Sequence, residues 1–490
     1  MILKKIKILC CFLIFATILF GEERGEKKIK IGIGYSGRSY DPHKHTDSAT
    51  LGITKQIYSN LFCLNENGDI ENELVDSYSI NSAGEIQIKL KKNIVFHDGE
   101  ELDSEIVKKS LERNMEIPIT KVLVEPIKDI VILDKYNFKI VSRYNPKIIL
   151  NNLTHSSLAI VKEISNKNLV GTGPFKLKEW KNGEKVILYK NKDYFKGEPK
   201  VDVLEFVTIP EASNRYIALE TGEIQIAYDL ASIDVASTKN RKDIKIVSKL
   251  SYGTDFLSIN TQRAPLNNIE IRKAIKYAIN KEAINEVVFE NTAEVAKSIL
   301  TPNTYGYFKN KEEAKDCLEE ARNIIKNYGE AVSIELWVYD DSTKYQMAQV
   351  IQANLKDIGI DVKIQTLELS TFLQLTAQGE HDTLIGLWYA STGDADYGLY
   401  PLLHDSSKGA VGNRSFYNNK EVNKLLDEAR IESSPKERLA KYKRVQEIVE
   451  DENPVIPLVH KMYHIGLNNN IKNFKFNPNG NHILENIQVN

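Results

Sequence analysis

The sequence lacks the residue patterns on which common catalytic and metal-binding sites depend. It contains no Gly-x-Ser-x-Gly nucleophile elbow, no His-Glu-x-x-His zinc motif, no Cys-x-x-Cys pair and no phosphate loop ending in Gly-Lys-Ser/Thr. Cysteine is scarce, with four in 490 residues. Two of these lie in the leader, and the sequence leaves open whether the other two, Cys63 and Cys317, form a disulfide.

An excess of charge of either sign is also missing. The chain has 65 basic and 67 acidic residues, and 42% of its residues are hydrophobic. A balanced chain does not create the positive field that nucleic-acid binding requires, so no nucleic-acid partner is predicted. The length exceeds what one ordinary core supports, and two or three domains are expected.

Residues 1–21 have the form of a secretory signal peptide. Three lysines within the first seven residues precede an apolar run over residues 8–20 that is too short to span a bilayer comfortably. Cys10 and Cys11 lie inside this run rather than after it, so lipid attachment is not predicted. The leader predicts an exported, periplasmic protein, with an uncleaved membrane anchor as the alternative.

Two short patterns could suggest a cofactor or a metal, and neither is convincing in its context. Residues 32–37 match the dinucleotide fingerprint Gly-x-Gly-x-x-Gly, but a turn shaped by Pro42 follows instead of a helix. His43 and His45 are two apart in a loop, where a surface pair is favoured over a metal site. No cofactor or metal is predicted.

Strand and helix patterns are mixed throughout the exported chain. Asn182-Gly183 is typical of a hairpin turn, and residues 211–223 read as a helix closed by Gly222. In the second half, helical segments alternate with strands such as SIELWVYD and DVKIQTLEL. This alternation predicts an α/β lobe with a covered sheet.

The stretch WYASTGDADYGLYP, residues 388–401, follows an apolar run that reads as a buried strand. Strand ends that open into polar loops are where α/β lobes bind ligands. No nucleophile with an adjacent base is present, so the loop suits binding a polar molecule better than cleaving one. Its candidate ligand contacts are Trp388, Tyr389, Ser391, Thr392 and Asp394.

The two acids of this loop are expected to have different roles. Asp396 precedes the short helix pattern YGLYPLL, and Asp is a favoured N-cap, so a structural role is predicted for it. Asp394 has no such role in the sequence. It is predicted to receive a ligand ammonium through a charge-assisted hydrogen bond, with simple exposure as the alternative.

Several segments together resemble the extracellular solute-binding proteins of family 5, which serve peptide, glutathione and nickel ABC importers. The resemblance runs from about residue 31 to the C-terminus. It rests on VFHDGEELDSEIVKKSLER, GTGPFKLKEW, ALETGEIQIAY, FLSINTQRAPLNNIEIRKAIKYAINKEAI and WYASTGDADYGLYPLL. It implies a periplasmic component of an ABC importer that hands its ligand to permease subunits, with no catalytic residues and with a monomeric state expected.

The implied fold is α/β, a type II periplasmic-binding-protein fold of two hinged lobes with an extra domain inserted in the first. The first lobe is expected at 28–45, 170–258 and 465–490, the insert at 46–169, and the second lobe at 259–464. Further ligand contacts are expected from the first lobe and the lobe crossing. These are Tyr35, Arg38, Tyr252 and Thr254.

Within the family, the 388–394 loop looks most like that of the glutathione-binding branch. Dipeptide binders of the family carry an Asp three residues after the Trp, and Ser391 stands there instead. Glutathione carries two carboxylates, so Arg38 and Arg414, both in predicted loops, are expected to bind carboxylate. The alternatives are a general di- or oligopeptide binder, nickel or haem capture, and a secreted hydrolase.

Overall fold

A computed structural model describes residues 26–165, 168–238, 241–309 and 317–490. The predicted signal segment, residues 1–21, therefore lies outside the described residues. Within the described ranges, no helix combines the length and the apolar character that crossing a membrane requires.

Helices occur in all parts of the described chain, and most begin at a polar capping side chain. Asp103, for example, accepts a hydrogen bond from the backbone of Ile106 at 2.9 Å. The helices are α1 (Ser48–Thr54), α2 (Ser104–Met115), α3 (Lys121–Val124), α4 (Pro146–Asn152), α5 (Ala212–Glu220), α6 (Ser232–Ser237), α7 (Ile269–Ala278), α8 (Lys281–Phe289), α9 (Cys317–Tyr328), α10 (Ser342–Lys356), α11 (Leu369–Gln378), α12 (Ala395–Leu403), α13 (Lys420–Ile431) and α14 (Pro435–Glu452).

Strands form one large mixed sheet and several small ones. They are β1 (Lys28–Ile33), β2 (Phe62–Leu64), β3 (Ile70–Asn72), β4 (Val75–Ile80), β5 (Ile86–Leu90), β6 (Ile127–Ile132), β7 (Asn137–Ser142), β8 (Lys162–Glu163), β9 (Leu169–Val170), β10 (Phe175–Lys181), β11 (Lys185–Lys190), β12 (Val203–Thr208), β13 (Ile226–Ala227), β14 (Ile244–Ile259), β15 (Glu294–Val295), β16 (Val332–Tyr339), β17 (Ile360–Leu367), β18 (Thr383–Tyr389), β19 (Val455–Asn468), β20 (Ile471–Lys472) and β21 (Gln488–Val489).

The large sheet runs through both lobes in the order β10-β11-β12-β1-β13-β19-β14-β18-β16-β17. In the first lobe, β1 pairs in parallel with β12 and β13, and its buried isoleucines enter the core of that lobe. In the second lobe, β16 pairs in parallel with β17 and β18. Helices α7, α9 and α10 bury their apolar faces in the core of this lobe, as the alternation in the sequence predicts.

An additional layer is built from the antiparallel sheet β4-β5-β7-β6 and helices α2 to α4. It has its own core, and it corresponds to the predicted insert. Ile53, Ile57 and Tyr58 pack in the same core as β1 of the first lobe. Ile53 lies in the short helix α1 and the other two side chains follow it, so this part of the chain packs onto the first lobe before the chain enters the additional layer.

Most local predictions are confirmed. The hairpin β10–β11 turns at Gly183, whose φ is +77°, and the helix predicted over 211–223 is α5, followed by Gly222 at φ +77°. A short 3-10 turn, Pro42–Lys44, follows the glycine-rich segment after β1. The cap of α12 is the exception, because Asp394 and not Asp396 provides it.

Burial of histidine predicts how stability depends on pH. In six of the nine histidines, burial lowers the side-chain pKa from 6.5 to about 4: His43, His97, His155, His381, His460 and His482. Between these two values the unfolded chain binds protons that the folded chain does not, so stability is lost as pH falls from about 6.5 to 4.

We therefore expect the melting temperature to fall between pH 7 and pH 5, with each such histidine contributing on the order of 1 kcal/mol. Scanning calorimetry at half-unit intervals measures this. A melting temperature that is constant or rises toward pH 5 would contradict the burial of these rings.

Candidate functional site

The two lobes are joined by the long antiparallel pair β14 and β19. The pairing is interrupted between Leu250 and Thr254, where residues 251–253 of β14 face Lys461 of β19. On one side of this bulge the pair extends the first-lobe sheet, and on the other it pairs with β18 and β15 of the second lobe. The bulge is thus the point at which the sheet passes from one lobe to the other, a little before the boundary predicted after residue 258.

Next to this crossing the first lobe encloses a cavity of about 150 Å³. This is roughly ten times the volume that a single buried water needs, so the cavity has room for a small chemical group but not for a long chain. The end of β1, helix α1, the turn after β13, strand β19 and the C-terminal segment form its walls. Its lining residues are Ile33, Gly34, Tyr35, Ser48, Ala49, Gly52, Ile53, Phe206, Tyr228, Asp229, Tyr463, Ile465, Gly480 and His482.

Asp229 brings a negative charge to this cavity from the turn after β13. Its backbone adopts φ +49°, a left-handed conformation that Asp tolerates better than most residues. The buried guanidinium of Arg215 holds the turn, donating to the carbonyl oxygens of Tyr228 and Asp229 at 2.9 and 2.6 Å. Arg215 therefore has a local structural role.

Lys461 supplies the opposite charge from the bulge. Its ammonium lies 3.7 Å from the Asp229 carboxylate, and the two side chains keep 33% and 48% of their surface exposed. Burial disfavours the charged form of Lys461, but the neighbouring negative groups, Asp229 foremost among the carboxylates, outweigh it and raise the pKa. The lysine is therefore cationic at neutral pH.

Tyrosines line the space beside this pair. The rings of Tyr389 and Tyr463 stack with centroids 6.4 Å apart, and burial raises the pKa of both phenols well above the ordinary value. Both therefore remain neutral hydroxyls. In the second lobe the buried pair of Asp255 and Lys344 is in direct contact, so its charges are already neutralised.

Two of the predicted first-lobe residues face this space or its rim. Tyr35 lines the cavity and is 45% exposed. Arg38 is exposed. The pKa of Glu368 in the second lobe is lowered mainly by hydrogen bonds from Ser370 and Thr371, and the positive charge of Arg38 lowers it further. Arg38 therefore lies close to the second lobe across the cleft.

Tyr252 and Thr254 lie at the crossing, but they are buried away from the cavity. The Tyr252 ring packs in a core of the second lobe. The Thr254 hydroxyl lies 2.9 Å from Nδ1 of His460, a contact that occupies it. Neither side chain lines the cavity, so their predicted contact with a ligand stays a prediction.

The 388–392 segment joins the second lobe to the insert as well as to the cleft. Nε1 of Trp388 donates to the carbonyl oxygen of Tyr397 at 2.9 Å, and both rings pack against the insert core. Tyr389 points the other way, toward Tyr463. Ser391 is half-buried, with its hydroxyl 3.4 Å from the Tyr389 carbonyl, and Thr392 is buried with its hydroxyl unpartnered among the described residues.

The expectation that Asp394 receives a ligand ammonium is wrong for this structure. Its carboxylate is 1% exposed and accepts hydrogen bonds from both terminal nitrogens of Arg438 at 2.7 and 2.8 Å. Asn151 of the insert donates to it at 2.7 Å, and it caps α12 through the backbone of Asp396. Asp396 in turn pairs with Arg430 at 2.8 Å. Both acids bind internal arginines that lie more than thirty residues further along the chain.

Arg414 is also misplaced by the sequence argument. Its carbonyl oxygen accepts a hydrogen bond from His381, just before β18 begins at Thr383. The cleft lies at the other end of this strand, beyond Tyr389, and six strand steps cover roughly 20 Å. Arg414 is therefore too far away to bind the same small ligand as Tyr389.

Sequence reasoning missed Asp229 and Lys461. Asp229 directly follows the motif ALETGEIQIAY, just after the end of a strand. The 388 loop was singled out because it also follows the end of a strand. Lys461 is a lone lysine within the otherwise largely apolar run VIPLVHKMYHIGL. What the sequence does not reveal is that a bulge in one strand and a turn after another bring these two charges together.

Other chemistry is sparse in the described part of the chain. No group of three or more His, Cys, Asp or Glu side chains that could hold a metal ion occurs there. Cys63 and Cys317 are not joined by a disulfide, which answers the question that the sequence leaves open.

Comparison with known proteins gives consistent results. The family described as bacterial extracellular solute-binding proteins, family 5 Middle, matches residues 69–410. A glutathione-binding protein GsiB of Escherichia coli O1:K1 / APEC is 27% identical over 456 residues, covering 88% of this chain and 89% of that protein.

Solved structures show the same fold. The periplasmic binding protein DppA from Helicobacter pylori in complex with the peptide STSA has a TM-score of 0.85 and 28% identity, covering 94% of this chain and 98% of that chain. A dipeptide-binding protein from Pseudoalteromonas sp. SM9913 in complex with Met-Leu has a TM-score of 0.86 at 22% identity, covering 95% and 100%. These matches confirm the predicted type II periplasmic-binding-protein fold.

The buried position of Asp394 predicts the effect of its substitution. Asp394→Asn leaves the Arg438 guanidinium buried without its counter-ion, so we expect the free energy of unfolding to fall by about 3 kcal/mol or more. Urea unfolding followed by circular dichroism measures this.

Asp76→Asn is a suitable control, because Asp76 forms an exposed ion pair with Lys89 and its loss should leave the unfolding midpoint nearly unchanged. If Asp394→Asn kept full stability and weakened ligand binding instead, the structural role assigned to Asp394 would be incorrect.

Proposed function

Because this chain belongs to the bacterial extracellular solute-binding proteins of family 5, we propose that it captures glutathione or a closely similar γ-linked peptide and delivers it to an ABC importer. The cavity at the lobe crossing carries this proposal. It is small, it has aromatic walls, and it presents the Asp229 carboxylate, with the Lys461 ammonium 3.7 Å from that carboxylate. A soluble peptide with charges of both signs has the complementary chemistry.

Contacts from both lobes make the proposed capture dependent on closure. Tyr35 and Arg38 belong to the first lobe, whereas Tyr389 and Ser391 reach the cleft from the second. At the edge of the cleft the Thr292 hydroxyl donates to that of Ser232 at 2.7 Å, so the two lobes already touch. A ligand held between them favours the closed arrangement over the open one.

The cellular setting is part of the same proposal. Residues 1–21 act as an export signal, the mature protein works in the periplasm as a monomer, and permease subunits in the inner membrane receive the ligand. No chemical step is assigned to the protein, because the cleft charges bind and release a ligand that leaves unchanged.

General di- or oligopeptide binding is the second candidate. It is favoured by the similarity to the Helicobacter pylori protein, whose complex contains the peptide STSA. Against it stands Ser391, which replaces the acid that the dipeptide binders carry in the 388 loop. The Asp394 carboxylate does not compensate, because Arg438 occupies it.

A ligand panel tests the proposal. A ligand that binds only the folded state stabilises it by about 2.7 kcal/mol at one hundred times its Kd. We expect reduced or oxidised glutathione to raise the melting temperature with concentration in a thermal-shift assay, and dipeptides or nickel salts to have a smaller effect.

Chromatography of each peptide after incubation is the control for turnover. A shift with dipeptides and none with glutathione would exclude the glutathione proposal in favour of the second candidate. Cleavage of any peptide would instead indicate a hydrolase.

A further inference from the structure

Asp229 and Lys461 form a looser pair than the buried ion pairs of the molecule, because their head groups are not in hydrogen-bonding contact. Asp255 with Lys344 and Asp394 with Arg438 are buried pairs in close contact. The carboxylate of Asp229 and the ammonium of Lys461 are 3.7 Å apart, longer than a charge-assisted hydrogen bond. Among the described residues neither head group makes a hydrogen bond, so each has capacity for a ligand.

The backbone that carries both groups is held in place before any ligand arrives. Four carbonyl oxygens, including that of Asp229 itself, accept hydrogen bonds from Arg215 and fix the turn. The backbone of Lys461 is fixed by Ser251, whose hydroxyl donates to the Lys461 carbonyl at 2.7 Å. Groups fixed in this way lose little freedom on binding, which favours affinity.

The short separation of the two charges restricts what they can bind together. A ligand ammonium that binds Asp229 and a ligand carboxylate that binds Lys461 must be close neighbours in the ligand. In an α-linked peptide the terminal ammonium and carboxylate are separated by up to ~3.3–3.6 Å for every residue. A γ-glutamyl residue keeps its α-ammonium and α-carboxylate on one carbon atom.

We propose that Asp229 binds the α-ammonium and Lys461 the α-carboxylate of the γ-glutamyl residue of the ligand. This inference rests on the proposed function. It adds which end of the ligand is recognised and which residues recognise it. The rest of the peptide extends toward the tyrosines and Arg38, where its second carboxylate meets a positive charge.

The position of Lys461 links this recognition to closure. The lysine lies opposite the bulge where the sheet passes between lobes, and its ammonium experiences the carboxylates of Asp229 in the first lobe and Asp255 in the second. A carboxylate bound to Lys461 therefore acts at the crossing point itself.

Two isomeric peptides provide the test. Glutathione and its α-linked isomer α-glutamyl-cysteinyl-glycine have the same composition and charge, but only glutathione has the ammonium and a carboxylate on one carbon. Calorimetric titration under reducing conditions should show wild-type protein binding glutathione at least tenfold more tightly. Asp229→Asn and Lys461→Met should each weaken glutathione binding about 10- to 100-fold and reduce the preference between the isomers.

Asp234→Asn and Lys245→Met are matched controls outside the cavity, and they should bind glutathione within about twofold of wild type. Melting temperatures without ligand verify that all four variants fold. Equal binding of the isomers, or unaltered binding by both cavity variants, overturns this inference and leaves the proposed function intact. If the wild-type protein binds neither isomer, the proposed function fails, and the inference fails with it.

Discussion

The interrupted pairing of β14 and β19 is the constraint on which the rest of the structure depends. These two strands carry the sheet from one lobe to the other, and residues 251–253 bulge where they do so. The bulge places Lys461 at the boundary between lobes and leaves its side chain half-buried rather than packed in a core. In a regular antiparallel pair the side chains would keep alternating along the strand. Lys461 would then be neither at the boundary between the lobes nor half-buried.

A second constraint is the way in which charge is distributed inside the molecule. Burying a charge is costly unless it is paired, and Asp394, Asp396 and Asp255 are each paired with a buried cation. Asp229 lines a cavity, the Lys461 ammonium lies 3.7 Å from its carboxylate, and the two head groups are too far apart for a charge-assisted hydrogen bond. The same chemical groups thus stabilise the fold in one place and remain available for recognition in another, and burial separates the two cases.

The sequence of the 388–397 segment predicts a ligand-binding role, whereas its contacts in the structure are largely structural. It has the composition of a binding loop, but Trp388 and Tyr397 pack on the insert, and Asn151 of the insert contacts Asp394. The segment therefore holds the second lobe against the insert, with Tyr389 turned toward the cleft. Asp394, which the sequence leaves free for a ligand, and Asp396 are neutralised by arginines of helices α14 and α13, which follow the segment.

Local structure was predictable because its causes lie within a few residues of each other. The Asn182-Gly183 turn and the helix closed by Gly222 each depend on a short span of sequence, and both are found. The site was less predictable because its causes are distant in sequence. Arg438 lies 44 residues from Asp394, and Lys461 lies far from Asp229, so only the folded chain shows which charges meet.

The most direct test of the central claim is a crystal structure of the protein with glutathione bound. The account predicts the α-ammonium of the γ-glutamyl residue about 3 Å from the Asp229 carboxylate, with its α-carboxylate at a similar distance from the Lys461 ammonium. A peptide that bound with these groups on the 388–394 loop, and left Asp229 and Lys461 in contact only with each other, would contradict it.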